Sequence, residues 1–69
     1  MTLTIEVDRE ADGRWIAEVP ELPGVICYSQ TRDEAVANAQ ALAFRVLADR
    51  LEHGEGGSQD VMSLSFVAA

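Results

Sequence analysis

Apolar and polar residues alternate from the first positions of the chain. Leu3, Ile5 and Val7 are separated by Thr2, Thr4, Glu6 and Asp8. A period of two is the signature of a strand with one buried face. Ala11-Asp12-Gly13 follows and predicts a hairpin turn, with Asp12 and Gly13 in the left-handed positions. A second strand is expected from Arg14 to Val19, with Trp15, Ala17 and Val19 on one face, and a short third strand from Val25 to Tyr28. From Thr31 to about His53 the period changes. Ala35, Val36, Ala39, Leu42, Ala43, Val46, Leu47 and Leu51 fall on one stripe at helical spacing. Thr31 with Glu34 three residues later reads as a capping box. Asp33 and Glu34 suit the positive end of that helix, Arg50 and His53 its negative end, and Gly54 its stop. Beyond the loop Glu55 to Gln59, Met62, Leu64 and Phe66 alternate with Val61, Ser63, Ser65 and Val67, which predicts a fourth strand.

These elements predict one α+β domain over residues 1–69, in the order β-β-β-α-β. Short connections make the first three strands an antiparallel meander. The helix then carries the chain across one face, so the fourth strand lies parallel to the first. The expected four-stranded mixed sheet has the order 3-2-1-4, with one helix on one face. Leu3, Ile5, Val7, Trp15, Ala17, Val19, Met62, Leu64 and Phe66 are expected to face the helix. The open face is expected to carry Thr4, Glu6, Arg14, Ile16, Glu18 and Val61, with Ile26 or its neighbours. A helix of about 22 residues is about 33 Å long, against about 20 Å for a six-residue strand. Its last turns, with Leu47 and Leu51, are therefore expected to overhang the sheet.

Between the second and third strands lies Pro20-Glu21-Leu22-Pro23-Gly24. Two prolines fix φ and remove two backbone donors, so this is a corner and not a continuous ladder. Gly24 supplies the permissive position that the turn needs.

Charge narrows the partners. Twelve acidic residues oppose five basic ones, a net charge of −7, which repels nucleic acid and suits a basic protein. Cys27 is the only cysteine and reads as a small apolar strand residue. The sole histidine, His53, reads as a helix-end residue. No metal or cofactor is expected. The lone thiol, and the lack of a leader or of an apolar run long enough to span a bilayer, predict a cytoplasmic protein. A core this small without staples predicts self-association as a homo-oligomer.

The segment DGRWIAEVPELPGV followed by TRDEAVANAQALA resembles the HicB antitoxin family. Pro20, Leu22, Pro23, Gly24, Thr31, Glu34 and Ala35 carry the likeness, over about Asp12 to Ala43. The resemblance implies a partial ribonuclease-H-like β-β-β-α-β domain. It also implies a function: binding and masking a small basic RNA-cleaving toxin of the HicA family. Glu6, Asp8, Glu10, Glu18 and Glu21 are the acidic candidates for that contact, and Leu22 and Tyr28 the apolar ones. Leu22 equally suits a corner packed on its own core. Many relatives carry a DNA-binding segment after this domain, whereas the sequence ends at Ala69; operator binding by the chain alone is not expected. A second reading is an orphan oligomeric domain that binds a ligand or serves as a scaffold. A third, a divalent-metal nuclease, needs converging carboxylates. Parallel first and fourth strands instead put Asp8 and Asp60 at opposite ends of the sheet, about 20 Å apart; no catalytic residue is assigned.

Overall fold

A computed structural model describes all residues from Met1 to Ala69. Its elements are β1 (Thr2–Arg9), β2 (Trp15–Glu18), β3 (Ile26–Ser29), α1 (Arg32–Glu52), a short 3-10 turn (Ser58–Val61) and β4 (Ser65–Ala68). The sheet has the order β3-β2-β1-β4, with β1 antiparallel to β2, β2 antiparallel to β3 and β4 parallel to β1. The α+β fold and its strand order are those that the hydrophobic pattern predicts.

The β1–β2 connection differs in detail. Within it only Gly13 has a positive φ, +91°, and no residue other than glycine has one anywhere in the chain. Its N–H donates to the Glu10 carbonyl at 2.9 Å, and the Glu10 N–H donates to Arg14 at 2.7 Å. This is a three-residue connection with the left-handed glycine last, so Asp12 needs no unusual backbone. The Asp12 carboxylate instead accepts from the Arg14 backbone N–H at 3.0 Å and from its guanidinium at 2.8 Å. The backbone bond first, then the guanidinium, holds the Asp12 carboxyl below its ordinary range.

The proline corner is two consecutive turns. Leu22 N–H donates to the Val19 carbonyl at 3.0 Å, and Val25 N–H to the Leu22 carbonyl at 3.1 Å. In the second turn Pro23 precedes Gly24, whose φ is +89°, the arrangement of a type II turn. Val19 N–H closes the corner on the Val25 carbonyl at 3.0 Å. The corner thereby turns Val19, Leu22 and Val25 inward, and all three are buried.

The helix starts as its cap dictates. Thr31 is the N-cap, and its hydroxyl accepts from the Glu34 N–H at 3.1 Å. The Glu34 carboxylate does not return a bond to the Thr31 N–H, so the expected capping box is half formed. At the other end, Gly54 N–H donates to Leu51 and Glu55 N–H to Arg50, with Gly54 at φ +69°. That is a Schellman stop. Ala35, Ala39, Ala43 and Leu47 form the buried stripe. Three alanines in that stripe bring α1 close to the sheet, where it packs mainly over β2 and β3 and less on β1. The two-residue link from β3 holds the helix start above that strand, and Asn38 ties it there by donating to the Ser29 hydroxyl at 3.0 Å.

The C-terminal part departs most from expectation. The fourth strand begins only at Ser65, because Ser58 to Val61 form a 3-10 turn in part of the expected loop and strand. Met62 does not face the helix: it is 80% exposed. Val61, expected on the open face, packs against the core instead. Leu47 is buried rather than overhanging, and Val61 lies beside it, while Leu51 stays exposed. Trp15 is half-buried at the sheet rim, with the Arg9 guanidinium 5.6 Å from its ring centroid. Cys27 is half-buried and packs on the core. Ten residues are buried in all, four of them alanines: Ala17, Ala35, Ala39 and Ala43.

Candidate functional site

Nothing from the helix covers the second face of the sheet, and the strand registers set what it presents. Glu6 lies opposite Glu18, and Glu18 opposite Ile26; Asp8 lies opposite Ile16, and Ile16 opposite Tyr28. Two transverse rows result, Glu6–Glu18–Ile26 and Asp8–Ile16–Tyr28. Directly opposed residues on one sheet face have Cβ atoms about 4.5–5.5 Å apart. The face therefore grades from acidic on β1 to apolar and aromatic on β3 within the width of three strands.

A shallow concavity of about 320 Å³ lies on the acidic side, lined by Glu6, Val7, Asp8, Glu10, Ile16 and Glu18. Four of the seven residues expected to meet a basic partner thus line one surface, and Tyr28 stands beside it. No cation is among the lining residues. The nearest on this face, Arg14, is already engaged: its guanidinium pairs with Asp12 at 2.8 Å and lies 4.9 Å from the Tyr28 ring centroid. The ring is held by a cation at its face while remaining 46% exposed. Ile26, 41% exposed, continues the apolar side.

Two expected contact residues are placed otherwise. Leu22 is 2% exposed and belongs to the core, because the type II turn points its side chain inward. Glu21 is bound to the first strand. Its carboxylate accepts from the Thr4 hydroxyl at 2.7 Å and from the Thr4 backbone N–H at 3.0 and 3.1 Å. β2 has ended at Glu18, so the N–H of Thr4 has no strand partner there, and the Glu21 carboxylate takes the vacant place in the ladder. The Thr4 hydroxyl and then its N–H stabilise the ionised form and hold the Glu21 carboxyl below its ordinary range. A proline corner followed by a glutamate does not announce this clasp. Only the sheet register shows that Thr4 lies within its reach.

Pro20, Pro23, Gly24, Thr31, Glu34 and Ala35 shape the corner, the cap and the buried helix stripe. Asp8 and Asp60 stand at opposite ends of the β1–β4 pair, since Asp60 lies in the 3-10 turn before β4. One further cluster was not anticipated: ligand atoms of Asp49, His53 and Glu55 lie within 4.8 Å of one another, all on exposed side chains. His53 Nδ1 lies 2.8 Å from the Asp49 carbonyl oxygen and 3.3 Å from its carboxylate. These contacts make it a helix-end residue. Glu55 joins the pair because the Schellman stop folds the chain back. No helix is long and apolar enough to cross a membrane. No family model, curated protein or solved structure matches this chain.

Proposed function

We propose that the chain is a HicB-like antitoxin that binds a small cationic RNA-cleaving protein of the HicA type and masks its RNA-binding surface. The observation that carries this reading is the acidity of the concavity on the open face. Glu6 is directly opposite Glu18, with Asp8 and Glu10 beside them and no cation in the concavity. Like charges directly opposed across strands destabilise a sheet. A cationic partner converts that repulsion into attraction. Ile16, Ile26 and Tyr28 supply the desolvated apolar contact that gives such an interface its residence time. The motif from Pro20 to Ala35 supports the same family. Masking needs no chemistry from this chain: a toxin that grips RNA phosphates presents the cations that an acidic face attracts.

The test uses the chain and a basic HicA-type toxin from the same genome. Toxin activity on RNA should fall in proportion to added chain and reach zero near equivalence. The association rate should fall as salt rises, because opposite charges steer the encounter. A double Glu6→Gln, Glu18→Gln variant should resist urea slightly better than the parent yet bind the toxin more slowly. Toxin that stays fully active in excess chain sinks the proposal.

A further inference from the structure

Seven large apolar side chains are exposed: Met1, Ile26, Tyr28, Phe44, Leu51, Met62 and Val67. Ile26 and Tyr28 belong to the open face on β3. The other five lie on and around β4. Phe44 on α1 meets Phe66 of β4 edge-to-face, with ring centroids 5.5 Å apart. Leu51 is seven residues on, on the same helix flank, and lines a concavity with Met1 and Val61. Met1 is joined to the β4 end of the sheet by its carbonyl, which accepts from the Ser65 N–H at 3.0 Å. Met62 precedes β4, and Val67 projects on the opposite face of that strand. Scattered apolar residues are ordinary, whereas a group of this kind marks a contact surface.

The outer edge of β4 is unpaired. Ser65 and Ala69 donate inward, to the Met1 and Ile5 carbonyls, so by the alternation of a strand the N–H groups of Phe66 and Ala68 point outward. From Val61 to Ala69 there is no charged residue and no proline. Edge strands are normally protected by such residues, and this one is not.

We infer that β4 is the interface for a second copy of this chain. The partner would pair β4 with β4 antiparallel about a two-fold axis perpendicular to the sheet. Charge selects the occupant. Two chains of net charge −7 repel, so they associate where charge is absent, and the acidic carboxylates of the concavity lie on β1, β2 and the turn between them. Geometry agrees with that choice. An isologous contact needs one self-complementary patch, and an edge strand paired antiparallel with its own copy is one. Such an axis keeps both helices on one side of a continuous sheet of order 3-2-1-4-4-1-2-3. Because α1 lies over β2 and β3, the space above the junction is free for Phe44 and Phe66 from both copies, and the Val67 side chains meet below. A second copy also supplements a core of only ten residues at all times, which a conditional partner cannot do. Both acidic faces stay open on the same side, so this contact is independent of the antitoxin reading.

Sedimentation equilibrium at micromolar concentration tests the inference. The parent chain should show twice its 7.5 kDa mass. Phe44→Glu, Ala68→Pro and Met62→Glu should each shift the population toward 7.5 kDa, with far-UV circular dichroism unchanged for Phe44→Glu and Met62→Glu. Met62 is 80% exposed and outside any regular element, so its replacement keeps the test available even if the strand variant unfolds. A parent that remains at single-chain mass overturns the inference. So does a dimer that withstands Phe44→Glu and Met62→Glu, or one that dissociates on Tyr28→Asp alone.

Discussion

The two halves of the sheet are written in the same alternating code and end in different states. Under β2 and β3, Ala17, Val19, Leu22 and Val25 are all buried against the alanine stripe of α1. Beside β4, Leu64 and Phe66 are only partly covered and Met62 stands free. Alternation specifies which side of a strand is apolar; it says nothing of what lies above it. Cover is decided by where the helix runs. Here the two-residue link after β3 holds α1 over that edge, whereas the longer return after Glu52 leaves β4 outside its reach.

This contrast is broken most directly by paired truncations. Leu22→Ala should cost about 2–5 kcal/mol in urea unfolding, as a cavity in a closed core does. Phe66→Ala removes more atoms, yet should cost less than half as much when the chain is held monomeric, because its site opens to water. The contrast fails if Phe66→Ala is the costlier change under those conditions. A smaller effect sharpens it at the helix start: Thr31→Ala should lose about 1 kcal/mol by leaving the Glu34 N–H without its cap, and thermal unfolding would show it. No loss there would mean that α1 is positioned by packing alone. The smallest effect is a matter of pH. Glu21 titrates below its ordinary value of 4.5 in the fold, so its contribution is complete above that pH and is lost as pH falls through the depressed value. Glu21→Gln should therefore flatten the acid limb of the stability profile below that ordinary value and leave the shape near neutrality unchanged. An acid limb identical to the parent's would show that Thr4 does not depend on the ionised carboxylate.

Local chemistry was legible where a residue's role is local. Thr31, Glu34 and Gly54 mark the helix limits by hydrogen bonds within a few positions, and the structure puts the caps at Thr31 and His53. Pro23-Gly24 marks its turn for the same reason. The rows Glu6–Glu18–Ile26 and Asp8–Ile16–Tyr28 were half legible: strand parity gives the side, but only the register gives the neighbour. The clasp of Glu21 on Thr4 was not legible because the two lie seventeen positions apart. Val61 and Met62 were misread because apolar alternation runs through the end of a 3-10 turn and the residue after it, where period two no longer describes which side chain points inward. The Asp49, His53 and Glu55 cluster joins an i, i+4 pair to a residue returned by the helix stop, which spacing on the helix alone does not reveal.

The parallel pairing of Thr2 with Ser65 also sets an order of assembly. The β1–β2 hairpin closes first at Arg9 and Trp15, six positions apart, while β1 and β4 meet across 63. By the logarithmic growth of closure entropy, the longer loop costs roughly 2 kcal/mol more. The meander and helix can thus consolidate before β4 docks, and in a chain held monomeric β4 is the element from which amide exchange should begin. When it lifts away, β1 becomes a border and its own outward backbone groups meet water. The chain carries a late-arriving strand next to its earliest one, and the durability of the whole sheet rests on how firmly that last seam is held.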